Sequence, residues 1–284
     1  MLDADRLRSL SRTDLPFRWR AEQSSLYALS VGLGRDSANA MARDYVITSA
    51  AQQAIPTMAT VMSVNVFEQD YGWDYTQMLH GEQRLKLHRP LRPAADMLAD
   101  FRVEAIHDKG VNRPAIIVTR TDVRQAADNI PLFTASSTLV ARADGGFDGP
   151  RDALPQPAPS PERPPDLRHD AETRPEQALL YRFNGDHNPL HVDPQAARAA
   201  GFHKPILHGL CTYGFACNAI LETICDYDST LIGEINARFT APVYPGDTVT
   251  TEMWQSADHV AFRCRVAARN DVVVLDNGHC RLLV

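Results

Sequence analysis

The sequence contains no apolar run long enough to cross a lipid bilayer, which needs about 20 consecutive apolar residues. It also has no excess of positive charge, because 29 lysine and arginine residues face 35 aspartate and glutamate residues, for a net charge of −6. A nucleic acid or an anionic membrane is therefore not the expected partner. The charged start, residues 1–6, lacks the apolar segment of a secretory signal, so we expect a cytoplasmic protein.

Cysteine is scarce, and its pattern excludes a disulfide framework. The count of five is odd, no C-x-x-C occurs, and each cysteine lies in a mainly apolar segment: Cys211, Cys217, Cys225, Cys264 and Cys280. This pattern indicates buried thiols in a reducing compartment. The sequence also lacks a G-x-S-x-G or Walker-type motif, so neither a serine hydrolase nor a nucleotide-binding phosphate loop is expected.

The 284 residues are enough for two domains, and proline marks a boundary between them. Residues 150–176 hold eight of the 19 prolines, and such a segment is expected to be extended and to pack no core. We therefore divide the chain into an N-terminal domain at 1–149, a Pro-rich linker at 150–176 and a C-terminal domain at 177–284.

Both halves combine an apolar helix-length stretch with strands. In the first half, residues 45–67 form an apolar stretch that Pro56 interrupts, and alternating strand patterns follow at 85–87, 101–103, 117–118 and 132–140. In the second half, residues 209–225 are apolar on more than one face, which predicts a buried helix. Strands are predicted after it at 235–239, 248–253, 260–266, 272–275 and 280–284.

The most informative stretch places Asp186, Asn188 and His191 within six residues. Pro189 lacks an N–H and pushes Asn188 toward an extended backbone, so the stretch is a folded loop on which the three polar side chains can converge. The loop is followed by Asp193-Pro194, a good helix start. Further along, Gly209 opens the buried helix, where free backbone N–H groups and a partial positive charge are expected.

Residues 181–191, followed by residues 201–209, resemble the two-part signature of the MaoC-like or hydratase 2 family. The resemblance implies an α+β double hot-dog fold, in which each antiparallel sheet wraps around a central helix. It also implies an (R)-specific enoyl-CoA hydratase or dehydratase, with acyl-CoA or an acyl carrier protein thioester as substrate. The resemblance also implies a homodimer. No metal and no cofactor other than the CoA of the substrate are expected. Asn184 departs from the small residue usual at its position.

The resemblance assigns roles that agree with what hydration of a 2-enoyl thioester requires. Asp186 and His191 are the acid–base residues, Asn188 orients the water through its amide, and the backbone N–H of Gly209 stabilises the thioester oxyanion. The candidate substrate-binding residues are Tyr181, Phe202 and Lys204.

A faint internal repeat matches Tyr27 with Tyr181 and His80-Gly81 with His208-Gly209. The first half has no counterpart of the acid–base motif. The resemblance implies that such a degenerate half shapes the space for the acyl chain.

Alternative functions remain at this point. A hot-dog acyl-CoA thioesterase and a non-catalytic acyl-thioester-binding subunit would share the fold. A metal pair of His187 and His191 is disfavoured because Pro189 interrupts the helix that their spacing needs. A nucleophilic pair of His208 and Cys211 is disfavoured because a cysteine in the first turn of a buried helix is more simply a core residue.

Overall fold

The computed structural model describes residues 3–36, 38–62, 78–142, 144–151 and 158–283. Within these ranges the α-helices are α1 Ala4–Arg8, α2 Ala21–Ser30, α3 Ala40–Val46, α4 Met58–Met62, α5 Gln177–Tyr181, α6 Pro194–Ala199 and α7 Gly209–Thr223. The strands are β1 Ser11–Trp19, β2 Met78–Leu87, β3 Ala95–Asp108, β4 Ala115–Gln125, β5 Pro131–Ala141, β6 Leu167–Glu172, β7 Ile232–Phe239, β8 Thr248–Ser256, β9 His259–Val266 and β10 Val272–Leu282.

All ten strands form one antiparallel sheet in the order β1-β3-β4-β5-β2-β7-β10-β9-β8-β6. The first five in this order come from the first half of the chain and the last five from the second half. The two halves meet where β2 pairs with β7, from Glu82 opposite Arg238 to Lys86 opposite Glu234. The sheet is therefore two five-stranded units joined edge to edge, and the predicted double hot-dog architecture is confirmed.

Alternating residues put one face of each strand into the core, as the sequence patterns predicted. In β9, Val260, Phe262, Cys264 and Val266 are all fully buried, while the residues between them are partly exposed. One boundary prediction is wrong: residues 272–275 and 280–284 are not two strands. The single strand β10 runs through residues 276–278, where the register shifts and Asn277 has a φ of 51°. A β-bulge interrupts the alternation of buried and exposed residues, so the sequence pattern predicted two strands where the structure has one.

Helix α7 is the buried centre of the second unit. Every residue from 211 to 221 is buried, which explains why its sequence is apolar on all faces. Among its polar side chains, the Tyr213 hydroxyl donates to the carbonyl oxygen of Ile235, 2.7 Å away. The first unit has no equally long helix in its described part. Its apolar stretch is broken around Pro56, between α3 and α4, and residues 63–67 of that prediction lie outside the described residues.

The two units are also packed together away from the sheet. The rings of Tyr27 and Tyr181, which the internal repeat paired, lie 6.1 Å apart between α2 and α5. Gly214 of α7 faces the same region, where a Cβ atom would lie 2.5 Å from Cγ1 of Val31. A single continuous core therefore includes side chains from both halves.

The described residues of the Pro-rich segment after residue 157 are attached to the second unit. The indole N–H of Trp254 donates to the carbonyl oxygen of Arg163 at 2.8 Å, and the Ser160 hydroxyl donates to Asp276 at 2.7 Å. Residues 167–172 pair with β8 as the edge strand β6. Composition predicted an extended segment that packs no core, and it does not reveal the hydrogen bonds that hold residues 160–172 against the second unit. Residues 152–157 lie outside the described ranges.

All five cysteines are free and buried, as predicted. In the portions of the chain that the structure describes, no helix is both long and apolar enough to cross a membrane.

Candidate active site

The loop that carries the predicted site is folded by its own side chains. Gly185 has a φ of 117°, in the left-handed region that favours glycine, and it turns the chain after α5. Asn188 is extended, and its Oδ1 accepts the N–H of Leu190 at 3.0 Å, which caps a 3₁₀ turn at Pro189–His191. The Asn188 N–H in turn donates to Oδ1 of Asp186 at 3.1 Å. The glycine, the Asx turns and the proline thus fold the loop back on itself, as the sequence indicated.

His191 is buried, and its hydrogen bond defines its tautomer. Nδ1 lies 2.9 Å from the carbonyl oxygen of Ile206. A carbonyl oxygen only accepts, so Nδ1 carries the proton and Nε2 keeps its lone pair. Burial lowers the pKa of His191, while the nearby charge of Asp186 opposes that shift. His191 is therefore a neutral imidazole at neutral pH, and its Nε2 can accept a proton.

His208 is a member of the site that sequence reasoning did not assign. Its ring stacks on that of His191, with centroids 3.8 Å apart and planes 27° apart. Its Nε2 donates to the carbonyl oxygen of Asp186 at 3.2 Å. Burial and the neighbouring His191 lower the pKa of His208 well below the ordinary range. The available signal was its place in the motif, directly before Gly209.

Asp186, His191 and His208 each offer an atom to one cluster, in which these atoms lie within 4.8 Å of one another. Such a cluster resembles a metal site, and a ring nitrogen that donates to a backbone carbonyl, as in both of these histidines, is also found in metal-bound histidines. His208 does not line the cavity described below, whereas Asp186 and His191 do. A carboxyl and an imidazole that face the same space can act as a proton-transfer pair.

A cavity of about 280 Å³ opens onto this cluster. Asp186, Asn188, His191 and Gly209 all line it, so the structure brings the four predicted catalytic groups to one space. The rest of the wall is mainly apolar. The first half of the chain contributes a substantial part of it, as the resemblance implied: Thr60, Val61, Met78, Leu79, His80, Thr119, Ser137 and Leu139.

Gly209 is the first residue of α7, where amide groups have no intrahelical acceptor. The N–H groups of Cys211 and Thr212 both bond to the carbonyl oxygen of His208, which leaves the Gly209 N–H outside the helical ladder. A Cβ atom at this position would lie 3.1 Å from Cε1 of Phe239. Glycine thus permits close packing at the cavity wall, and the helix dipole favours negative charge beside its N–H.

The three predicted substrate-binding residues lie in different places. Phe202 lines the cavity. Tyr181 does not: it is fully buried behind His208, with ring centroids 4.9 Å apart. Lys204 is exposed, with its Nζ 5.2 Å from the ring centroid of Tyr244. Asn184 does not line the cavity either: its Nδ2 donates to Oγ of Ser30, 2.8 Å away, across the contact between the two halves.

The nucleophilic pair is excluded by the contacts of Cys211. Its Sγ is buried and donates to the carbonyl oxygen of Ser30 at 3.4 Å. Burial raises the pKa of this thiol well above its usual range. Cys211 is therefore a core residue.

A double hot-dog chain with an acid–base loop beside a helix N-terminus defines the class of protein, and comparisons with known families agree. The MaoC like domain matches residues 156–275, and the MFE-2 hydratase 2 N-terminal domain matches residues 17–143. The chain belongs to the MaoC-like hydratase 2 family.

Relatives within this family extend over nearly the whole chain. The 3-hydroxyacyl-thioester dehydratase Y of Mycobacterium tuberculosis is 38% identical over 270 residues, which cover 92% of each chain. The peroxisomal enoyl-CoA hydratase 2 of Arabidopsis thaliana is 33% identical, over 91% of this chain and 89% of the relative.

Solved structures show the same fold. A MaoC-like dehydratase from Phytophthora capsici superposes with a TM-score of 0.85 at 27% identity, over 99% of this chain and 98% of the other. The peroxisomal multifunctional enzyme type 2 of Drosophila melanogaster superposes with a TM-score of 0.83 at 30% identity, over 96% of this chain and 48% of that longer one.

Proposed function

We propose that this protein is an enzyme that reversibly hydrates trans-2-enoyl-CoA to (R)-3-hydroxyacyl-CoA. The observation that carries the proposal is that Asp186, Asn188, His191 and Gly209 line one mainly apolar cavity, with Nδ1 of His191 bound to the carbonyl oxygen of Ile206 so that Nε2 is left to accept a proton. Relatives named enoyl-CoA hydratase 2 and 3-hydroxyacyl-thioester dehydratase, at 33% and 38% identity, support the reaction class.

In the proposed mechanism, water adds across the double bond and no covalent intermediate forms. Nε2 of His191 takes a proton from the water as its oxygen attacks Cβ. The proton taken from the water passes from His191 to the Asp186 carboxyl, which delivers it to Cα. The water thus supplies both the hydroxyl on Cβ and the proton on Cα, so protons balance over the turnover. Each acid–base residue is expected to contribute about 100- to 10,000-fold to the rate.

In this mechanism Asn188 holds the water, and Gly209 stabilises the thioester oxygen. Oδ1 of Asn188 is occupied by the Leu190 N–H, so the amide NH₂ is the group left to hold the water oxygen. The Gly209 N–H faces the thioester oxygen, where negative charge develops as the double bond is attacked.

The first test is hydration of crotonyl-CoA by the wild-type protein beside an Asp186→Asn variant. Loss of the enoyl absorbance, release of free thiol and chirality of the product are followed together. We expect the wild type to form an (R)-3-hydroxy product and to release no thiol. The Asp186→Asn variant should form no product, and its thermal unfolding should match that of the wild type. Thiol release would instead identify a thioesterase. Tight binding of crotonyl-CoA and longer enoyl-CoAs without turnover would identify a non-catalytic binding subunit.

CoA is the proposed carrier, in preference to an acyl carrier protein. Phe202 and Val243 line the cavity, and Lys204 lies close to Phe202 in the chain, with its ammonium 5.2 Å from the ring centroid of Tyr244. The Arg269 guanidinium lies 5.0 Å from the same centroid and is paired with Asp247 at 2.9 Å, and the exposed imidazole of His203 lies at 4.3 Å. Such a cluster suits the phosphates of the CoA nucleotide.

A truncated substrate tests the carrier. Lys204→Gln is expected to raise the KM for crotonyl-CoA several-fold and to leave the KM for crotonyl-pantetheine, which lacks the nucleotide, unchanged. Equal changes for both thioesters would show that Lys204 does not contact the nucleotide.

A homodimer and a cytoplasmic location complete the proposal. The homodimer follows from family resemblance and from the two open edges of the sheet, β1 and β6. Sedimentation equilibrium tests it, and a monomer at micromolar concentration would refute it.

The cytoplasmic location is supported by five free, buried cysteines. A fluorescent fusion tests the location against the peroxisome, where the Arabidopsis relative is named as residing.

A further inference from the structure

His208 contacts both acid–base residues and has no part in the proposed proton transfers. Its ring lies against His191 at 3.8 Å between centroids, and its Nε2 bonds to the backbone of Asp186 at 3.2 Å. The ring is 1% exposed, and Tyr181 covers it at 4.9 Å. The side chain is thus held in one orientation between the two catalytic residues and the core.

The bond to Asp186 fixes the protonation of His208. A carbonyl oxygen accepts, so Nε2 carries the proton and Nδ1 is left as a bare acceptor. Nδ1 is inaccessible to solvent and has no hydrogen-bond partner within the described ranges. An unsatisfied buried acceptor is destabilising, and a phenyl ring would fill the same space without one. What the imidazole adds is therefore the N–H directed at Asp186.

Within its own loop Asp186 is held by short-range bonds. Its carboxylate accepts the Asn188 N–H at 3.1 Å, and the N–H of the preceding Gly185 donates to the carbonyl oxygen of Arg182 at 3.1 Å. The His208 bond instead reaches across 22 residues, from the N-terminus of the buried helix α7 to the loop. A rotation of the Asp186–His187 peptide would break this bond and move the carboxylate away from His191.

We propose that His208 is a positioning residue: its Nε2–H holds the Asp186 backbone, and its stacked ring holds His191, so that the acid–base pair keeps a productive geometry. This inference rests on the proposed hydratase function. It assigns His208 an effect on turnover and none on substrate affinity, because His208 does not line the cavity.

Two substitutions separate the N–H from the ring. His208→Gln keeps an N–H donor without the stacked ring, and His208→Phe keeps a flat ring without the donor. His187→Gln is the matched control, since His187 is an exposed histidine on the same loop. We expect His208→Phe to lower kcat about 100-fold, the effect of an ångström-scale misplacement, with KM and Tm near the wild-type values. His208→Gln, which restores the donor but not the stacked ring, should recover part of this loss, and His187→Gln should match the wild type.

A second readout does not require turnover. The ¹³C-carboxyl titration of Asp186, followed by NMR, should shift in His208→Phe and return toward the wild-type curve in His208→Gln. If the wild type hydrates no enoyl thioester, the proposed function fails while this titration still tests the positioning role. An unchanged titration in His208→Phe, or a kcat loss in both variants that parallels a loss of Tm, would overturn the inference.

Discussion

Gly209 offers a way to delete a single backbone hydrogen-bond donor from the candidate active site. Proline lacks the N–H and is well tolerated at the first position of a helix, which is where Gly209 lies. The preceding residue, His208, has φ −56° and ψ 133°, the extended conformation that a following proline requires. The helical hydrogen bonds begin with the N–H of Cys211, so Gly209→Pro removes none of them.

Gly209→Ala is the control for the added side-chain atoms. In both variants a Cβ atom would sit 3.1 Å from Cε1 of Phe239, so the ring must shift by a few tenths of an ångström in each. Alanine keeps the N–H, whereas in proline the ring carbon Cδ takes the place of the amide hydrogen. The difference between the two variants therefore reports the loss of the donor together with the presence of Cδ in its place. The donor is expected to contribute about 100- to 1,000-fold in kcat, or about 2.7–4 kcal/mol in the transition state.

The assay is steady-state hydration of crotonyl-CoA at saturating substrate, with circular dichroism and thermal unfolding as checks on folding. We expect Gly209→Ala to retain most activity and Gly209→Pro to fall a further 100-fold or more in kcat. Equal kcat values for two well-folded variants would refute the assignment of this N–H as the oxyanion donor.

Three further predictions concern stability. Burial lowers the pKa values of His191 and His208 in the folded protein, so below about pH 6.5 the unfolded chain binds more protons than the folded one. The unfolding free energy should therefore fall as the pH decreases below this value. Urea titrations should show a smaller fall in His208→Gln than in the wild type. Gly214→Ala should lower the unfolding free energy by about 1–3 kcal/mol, because its Cβ would lie 2.5 Å from Val31, and an unchanged urea midpoint would mean that the two halves pack less tightly than described. Trp254→Phe should lower the unfolding free energy by about 1 kcal/mol, because it removes the hydrogen bond to the Pro-rich segment. If deletion of residues 160–165 caused no loss of stability, this segment would contribute nothing to it.

The first half of the chain has a clear task although it lacks the acid–base motif. It supplies about a third of the residues named along the cavity wall, and its α2 packs against α5 beneath the catalytic loop. The loop is even anchored in this half, through the bond from Asn184 to Ser30. The second half therefore carries the candidate acid–base residues, and the first half shapes the space around them and supports their loop.

The local sequence determined the catalytic loop and the elements around it. Gly185, Asn188 and Pro189 act on neighbouring backbone through left-handed φ, side-chain capping and a fixed ring, and these effects operate within a few residues. For the same reason the helix start at Asp193-Pro194, the buried α7 and most strands could be predicted from spacing. The bulge in β10 and the edge strand β6 could not, because both depend on hydrogen bonds to other strands rather than on local pattern.

Only the tertiary structure decided which residues meet across long distances in the chain. His208 is 17 residues from His191 and stacks on it because α7 begins against the loop. Tyr181 belongs to the motif and yet faces the core, since Tyr27 and His208 enclose it from elements remote in sequence. A motif names the residue types that the chemistry needs, but burial and orientation arise from packing between elements, and packing depends on contacts that no local pattern records.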